Sequence, residues 1–465
     1  MARLASLSDV IELYQGLENN LSRLIGPQPF SAANNLRLER INHLLELLGN
    51  PHHAFTSIHV GGTSGKGSTS AMIAAILTEA GYTTGLHMSP HLQIINERHQ
   101  INRHVASTSR LSALFAEMQP AIEQVARDGQ FGSPSYFETQ VALGFLLFQR
   151  EAVDVAVVEV GLGGSLDATN VLNSSVAVLT NFGLDHTAIL GNTIEQIARD
   201  KAGIIKPGQT VVSGIQQQTG RQIVADRCRS QAARLWQIDQ NFTYTLPNGR
   251  GFSLSLPGGN FDDLHLGMPG NFQAANAACA VAAVQALPAD FSVPEQAVRH
   301  GLLNARIPGR VELVQRDPLV ILDGAHNPEK MRASREAINQ HFPNRRRVTV
   351  LALKSDKASA DVLAHVLPDT DVLLVTQFRV PGSLWSPQDA TELAQQAAEL
   401  APGLRIGIIP DPILAFNEAL AQANPDDLIW VTGSFYLVGN VRELWYPSAA
   451  LITQAETGLS GAMAL

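Results

Sequence analysis

The stretch Val60-Gly-Gly-Thr-Ser-Gly-Lys-Gly-Ser-Thr69, "VGGTSGKGST", decides how the chain is read. It looks like a phosphate-binding loop yet departs from the common template G-x-x-x-x-G-K-[ST]. Val60 stands where the first glycine falls, and Gly67 separates Lys66 from Ser68. Upstream, "FTSIHVGG" sets Ile58 and Val60 on one face of a strand. Downstream, "STSAMIAAILTEAG" has helical periodicity and stops at Gly81. In that context the backbone N–H groups of Gly62, Thr63, Ser64, Gly65 and Gly67 can approach phosphate oxygens, with a helix N-terminus behind them. Lys66 would neutralise phosphate charge, and Ser68 or Thr69 would offer a hydroxyl to a magnesium ion. The competing reading is a turn rich in small residues; the order strand, glycine-rich turn, lysine, serine, helix favours phosphate.

The same alternation runs outward from the loop. "LRLERINHLLELLG" (36–49) reads as a helix ending before Pro51, and "VALGFLLF" (141–148) as part of a buried helix too short to span a membrane. "VDVAVVEV" (153–160), "VAVLT" (176–180) and "TVVSG" (210–214) are β-branched runs of the kind found in strands buried on both faces. Between the last two, Thr193 and Gln196 have capping-box spacing. Residues 235–268 read as a β-rich insertion and 271–287 as an alanine-rich helix. After "ARIPGR" (305–310) strand-like and helix-like segments alternate again up to "VRELW". The expected fold is therefore α/β: a P-loop-type ATPase domain over 1–307, with a mainly parallel sheet and an N-terminal helical segment, then a smaller Rossmann-like doubly wound domain over 308–450. Residues 451–465 read as a disordered tail.

Bulk properties narrow the function. The chain has 465 residues, 45% hydrophobic and 16% charged, with a formal net charge of −9. That balance argues against a general nucleic-acid binder and leaves room for anionic small molecules held by local lysines and arginines. Two cysteines, Cys228 and Cys279, are too few for a disulfide framework and are expected as free thiols. The N-terminal stretch has no long apolar run, so a cytoplasmic, non-membrane protein is expected.

Three further segments carry candidate chemistry. "EVGLGG" (159–164) ends a strand with Glu159; a dinucleotide fingerprint fails because its third glycine would fall on Leu166. The open alternatives are a metal-binding carboxylate and a paired or solvated one. "TNFGLDHTAILGNT" (180–193) brings Asp185 and His186 to the same edge of the sheet, where ligands bind in open α/β folds. Lys201, late in the following helix, reads by position alone as an exposed cation near a helix C-terminus.

Taken together, these segments resemble the folylpolyglutamate and dihydrofolate synthases of the Mur ligase superfamily. "IHVGGTSGKGST" is similar to that family's loop, which carries a glycine after its lysine, so Gly67 marks a different kind of ATP loop. "HMSPHL" (87–92), "NERHQI" (96–101), "EVGLGGSLDATN" (159–170), "GNFQAANA", "IPGRVE", "ILDGAHNP" and "GSFYLVGNVRE" follow in the family's order. The resemblance implies ATP as co-substrate and Mg2+ held by Ser89, Glu159 and His186, beside the Ser68 hydroxyl read from the loop, with Lys66, His186 and Lys201 in catalysis and Lys201 carbamylated. It implies nucleotide contacts from Asn276, Arg310, Asp323 and His326, and a folate contact from Asp167. Ser165, Phe272 and Ile307 stand where the family has a basic residue, a histidine and a tryptophan. The implied activity is ligation of L-glutamate to a pteroyl substrate through an acyl phosphate, by a monomer acting on small molecules. The alternatives are another amide ligase of the superfamily, acting on a cell-wall precursor or amino-acid polymer, and a nucleotide-binding regulator without activity.

Overall fold

The computed structural model describes residues 7–24, 38–129, 131–246, 251–355, 357, 359–380 and 386–458. They divide into two compact units. The first holds the described residues up to Gly267, Gln273–Arg306 and those from Ile452 onward; the second holds Met268–Phe272 and Ile307–Leu451.

The first unit is built on strands β1 (Thr56–Gly61), β2 (Thr84–His87), β3 (His99–Ile101), β4 (His104–Val105), β5 (Val155–Glu159), β6 (Val176–Leu179), β7 (Thr210–Ser213) and β8 (Arg234–Gln237). Their spatial order is β4-β3-β2-β5-β1-β6-β7-β8. From β2 to β8 neighbouring strands are parallel, while β3 and β4 add antiparallel pairs at one edge. Central β5 is buried along its whole length, which explains its unbroken run of Val and Ala. The register sets Val60 beside both Glu159 and Val178. The exits of β1, β5 and β6 therefore share one edge of the sheet, and β2, beside β5, leaves there too.

A three-stranded antiparallel sheet, β9 (Thr243–Thr245), β10 (Phe252–Leu256) and β11 (Gly259–Leu264), forms the core of the expected insertion. The insertion begins later than the sequence suggests, because β8 joins the main sheet beside β7. The second unit has strands β12 (Glu312–Arg316), β13 (Leu319–Asp323), β14 (Arg347–Leu351), β15 (Val372–Val375), β16 (Arg405–Ile408) and β17 (Leu428–Thr432). They are ordered β12-β13-β17-β14-β15-β16, parallel apart from the edge strand β12.

The expected disordered tail needs correction as far as Gly458. Residues Ser448–Thr457 form a helix whose Leu451 and Ile452 are buried. Its Glu456 carboxylate accepts from Ser109 N and Ser109 Oγ, both at 2.7 Å. The rest of the tail lies outside the described residues. Cys228 and Cys279 are free and buried, and no helix among the described residues is long and apolar enough to cross a membrane.

A row of buried imidazoles underlies the β2–β3 edge. His87 and His99 pair across the strands with Nδ1 atoms 3.4 Å apart, and His99 Nε2 lies 2.9 Å from Gln140 Oε1. Burial drives the His99 pKa down to about 4 and that of His87 well below its ordinary value. An unfolded chain takes up these protons near pH 6.5 while the folded chain resists, so stability is lost as pH falls through that window. Denaturant midpoints should therefore drop between about pH 6.5 and 4, and His99→Gln should flatten that dependence.

Candidate active site

The loop after β1 is shaped by contacts from the exit of β6. Thr63 N donates to Asn181 O at 3.0 Å and Ser64 N to Asn181 Oδ1 at 2.7 Å. Thr180 Oγ1 donates to Ser64 O at 2.6 Å, and Gly183 N donates to Thr63 Oγ1 at 3.0 Å. Gly62 has φ +139°, and a Cβ there would lie 2.0 Å from Thr180 Oγ1. Gly65, at φ +81°, caps the helix Lys66–Glu79 and faces Asn276 Oδ1 so closely that a Cβ would stand 2.3 Å from it. Asn276 Nδ2 donates to Gln273 Oε1 at 2.9 Å, which aims the amide oxygen at the loop. Gly67 and Ser68 fall in the first turn of the helix. The Ser64 and Thr69 hydroxyls are buried with no hydrogen-bond partner among the described residues. The orphaned hydroxyls and the helix N-terminus fit a phosphate group, whereas the Thr63 and Ser64 amides already donate to Asn181.

Lys66 Nζ donates to the Gly62 carbonyl at 3.2 Å, and Lys201 Nζ donates to the same oxygen at 3.1 Å. The exposed position read for Lys201 is corrected: it is 5% exposed. The helix Ile194–Lys201, opened by the Thr193–Gln196 capping box, packs its last turn into the site. Burial, and next the charge of Lys66, lower the Lys201 pKa to about 7; Asp200, Asp185 and Asp167 pull the other way. At neutral pH much of Lys201 is thus an uncharged amine. Position along the sequence did not single out Asp200, whose Oδ2 is buried with no hydrogen-bond partner among the described residues and whose pKa burial raises.

Glu159, at the end of β5, accepts from Ser89 N at 3.1 Å, which joins two of the expected metal ligands. His186 leaves β6 and caps the short helix Thr187–Leu190 with φ 51°; its side chain is 47% exposed and 3.9 Å from Asp185. Among the described residues no group of three His, Cys, Asp or Glu side chains converges on a point. Three of the expected ligands offer hard oxygens: the Glu159 carboxylate and the hydroxyls of Ser68 and Ser89. They fit a cation such as Mg2+, which keeps waters and takes phosphate oxygens alongside few protein ligands.

Asp167 is engaged by the protein's own backbone. Its buried carboxylate accepts from Leu162 N at 2.8 Å, from Thr169 N at 3.0 Å and from the Thr169 hydroxyl. Burial is the main influence on its pKa, which is raised. It closes the loop after β5, and His59 Nε2, 2.8 Å from Thr169 Oγ1, supports it from β1. Ser165, where the resemblance calls for a basic residue, binds Asp200 O through both its N–H and its hydroxyl, at 3.0 and 2.9 Å. Its Oγ packs so close to Gly203 that a Cβ added at Gly203 would lie 2.0 Å from it.

The second unit gathers its own expected residues at the exit of β13. Asp323 accepts from Val311 N and Ala325 N, both at 2.9 Å, and burial raises its pKa against the pull of Arg310. The Arg310 guanidinium lies 4.2 Å from the Phe435 ring centroid. His326 Nδ1 donates to Gly324 O at 2.8 Å, leaving Nε2 to accept from Lys330 Nζ at 3.3 Å. Phe435 and Lys330 went unnoticed in the sequence; each acquires its place only through this corner.

Two Mur ligase family models match the chain, the middle domain over residues 60–284 and the glutamate ligase domain over 309–435. The chain is a Mur ligase. Within the class it belongs to the folylpolyglutamate synthase/dihydrofolate synthase family. It is 33% identical over 415 residues to the dihydrofolate synthase/folylpolyglutamate synthase of Bacillus subtilis (87% of this chain, 94% of that one). It is 35% identical over 415 residues to the folylpolyglutamate synthase of Lacticaseibacillus casei (87% and 93%). Among solved structures, the Mycobacterium tuberculosis folylpolyglutamate synthase complexed with ADP matches with TM-score 0.85 and 32% identity (94% and 99% covered). The Escherichia coli enzyme in complex with DHPP and ADP matches with TM-score 0.82 and 30% identity (92% and 97% covered).

The geometry at Gly62 is testable. Gly62→Ala would place a methyl against Thr180 in a backbone region that L-residues avoid, at about 1–3 kcal/mol. Titration calorimetry should show nucleotide affinity reduced at least about tenfold, a loss of about 1.4 kcal/mol, with a lower denaturant midpoint.

Proposed function

We propose that the chain joins the amino group of L-glutamate to a carboxylate of a pteroyl substrate, dihydropteroate or a folyl-polyglutamate, with ATP converted to ADP and phosphate. One observation carries the reading: Lys66 and Lys201 meet on the carbonyl of Gly62 inside a phosphate-binding loop. The complexes of the solved relatives with ADP and DHPP, and of the Yersinia pestis relative with AMPPNP and a manganese ion, support the choice of nucleotide, pteroyl compound and divalent metal.

A carboxylate resists an amine nucleophile because of its charge. Transfer of the γ-phosphoryl group of ATP makes it an acyl phosphate; the glutamate amine then attacks the acyl carbon, and phosphate departs with the bonding electrons. Lys66 and the amides at the N-terminus of its helix stabilise charge on the transferring group. Magnesium, when held by Glu159, Ser89 and Ser68 with His186, supplies Lewis-acid stabilisation worth several kcal/mol. Alignment of three substrates contributes roughly 7–11 kcal/mol. In this reading Asn276 contacts the nucleotide from the first unit, and Arg310, Asp323 and His326 do so from the second.

Lys201 takes part as a carbamate. Its uncharged amine attacks carbon dioxide, the new N–C bond yields a carbamate, and one proton leaves to solvent. The product replaces a buried cation beside Lys66 with an anion, which removes the clash between two ammonium groups and adds a hard oxygen donor. Carbamylation requires the neutral amine, so it should weaken as pH falls below about 7, where burial sets the lysine's titration.

Glutamate-dependent phosphate release should appear with dihydropteroate or a reduced folate. Release with neither substrate, or without glutamate, would overturn the assignment. Lys66→Ala should reduce turnover by about 100-fold or more in a protein whose circular dichroism is unchanged. Carbon-13-labelled bicarbonate should give a carbamate resonance in the wild type that is absent from Lys201→Met.

A further inference from the structure

The segment between β2 and β3 carries Ser89 to the edge where Glu159 lies, and it forms few backbone ladder bonds of its own. Glu97 supplies the missing acceptors. Its carboxylate turns back from the 3-10 turn Ile95–Arg98. Oε2 accepts from Leu92 N at 2.7 Å, and Oε1 accepts from Gln93 N and Ile94 N, both at 3.0 Å. Charge-assisted bonds of this kind are stronger than neutral ones, and here three successive amides share one anion.

The neighbours of Glu97 anchor the turn in other directions. Asn96 Nδ2 donates to Ala106 O at 2.9 Å and to Thr108 Oγ1 at 3.1 Å, fastening the turn to the start of the helix Thr108–Asp128. Tyr14 OH accepts from Ile95 N at 3.4 Å. Arg98 O accepts from Met88 N at 3.1 Å, and Arg98 Nε donates to His91 Nδ1 at 2.9 Å. Its guanidinium lies 5.6 Å from the centre of the Tyr136 ring. The segment is thus held on one side by a rigid turn, and on the other Ser89 N rests on Glu159 Oε2.

We propose that Glu97 is a positioning residue: by gathering the amides of Leu92, Gln93 and Ile94 it fixes Ser89 against Glu159 and so sets the geometry of the divalent-cation site. The proposal rests on the reading of Ser89 and Glu159 as metal ligands and names a residue one step behind them. Residues that orient metal ligands from behind typically change metal affinity or activity 10–100-fold when replaced. Glu97→Gln is the informative change. It keeps the shape but replaces one acceptor oxygen with an NH2 group, which must face a backbone donor.

The test uses the full chain with ADP and Mn2+ as probe, following free Mn2+ by electron paramagnetic resonance, together with amide hydrogen exchange. In Glu97→Gln, Mn2+ affinity should fall about tenfold. Exchange at Leu92, Gln93 and Ile94 should accelerate, and that in β5 and the helix Tyr136–Arg150 should not change. Faster exchange with unchanged Mn2+ affinity would reduce Glu97 to a structural brace and overturn the proposal, as would unchanged exchange. Ser89→Ala separates the two levels. If it leaves Mn2+ affinity intact, the metal-ligand reading of Ser89 fails and the proposal with it; if it weakens binding while Glu97→Gln does not, only the proposal fails. Should Glu97→Gln not fold, Glu97→Asp, which keeps the charge and retracts it by one methylene, gives the same comparison.

Discussion

Two lysine side chains donating to one carbonyl oxygen is the constraint from which the active site of this chain follows. Gly62 O receives Lys66 from the helix it precedes and Lys201 from a helix 139 residues further along. Like charges so close, with one of them buried, cannot both be protonated without cost. The molecule resolves this by lowering the Lys201 pKa to about 7, and a carbamate there would resolve it more fully. The helix Ile194–Lys201, the loop of Gly62 and the loop of Ser165 must all be in place for the arrangement to exist.

Those loops are placed by the sheet. Parallel strands deliver their exits to one edge, and in the order β2-β5-β1-β6 the segments carrying Ser89, Glu159, the phosphate loop and His186 emerge side by side. Side chains that look like candidates for chemistry are then used to hold those segments still. Asp167 closes the loop after β5, Asn181 gives both its backbone and its side-chain oxygen to the phosphate loop, and Glu97 serves the segment of Ser89. A site that must align three substrates gains rate from such rigidity, because a small misplacement of a reacting atom is expensive.

Much of this was legible in the sequence. The phosphate loop, its strand and its helix are contiguous, so a local reading recovers Lys66, Ser68 and the unusual Gly67. The β-branched runs announced a parallel sheet because strands buried on both faces admit few polar residues. Residues whose role depends on distant partners were read less well. Lys201 by its position read as an exposed helix-end cation, yet it is buried. The antiparallel edge strands β3, β4 and β12 carry no periodicity distinct from loops of the same length.

The sequence by itself determined the alternation of elements, the phosphate-binding turn and the family to which the chain belongs, because each is written in neighbouring residues or in ordered motifs. Only the tertiary structure decided which charges are buried, which carboxylates are occupied by backbone amides and which loops are pinned. Ionisation and hydrogen bonding answer to the surroundings of a group, and those surroundings are assembled from segments far apart in the chain. Lys201 shows the difference most plainly: its identity is local, whereas its low pKa comes from burial at the end of β1, beside Lys66.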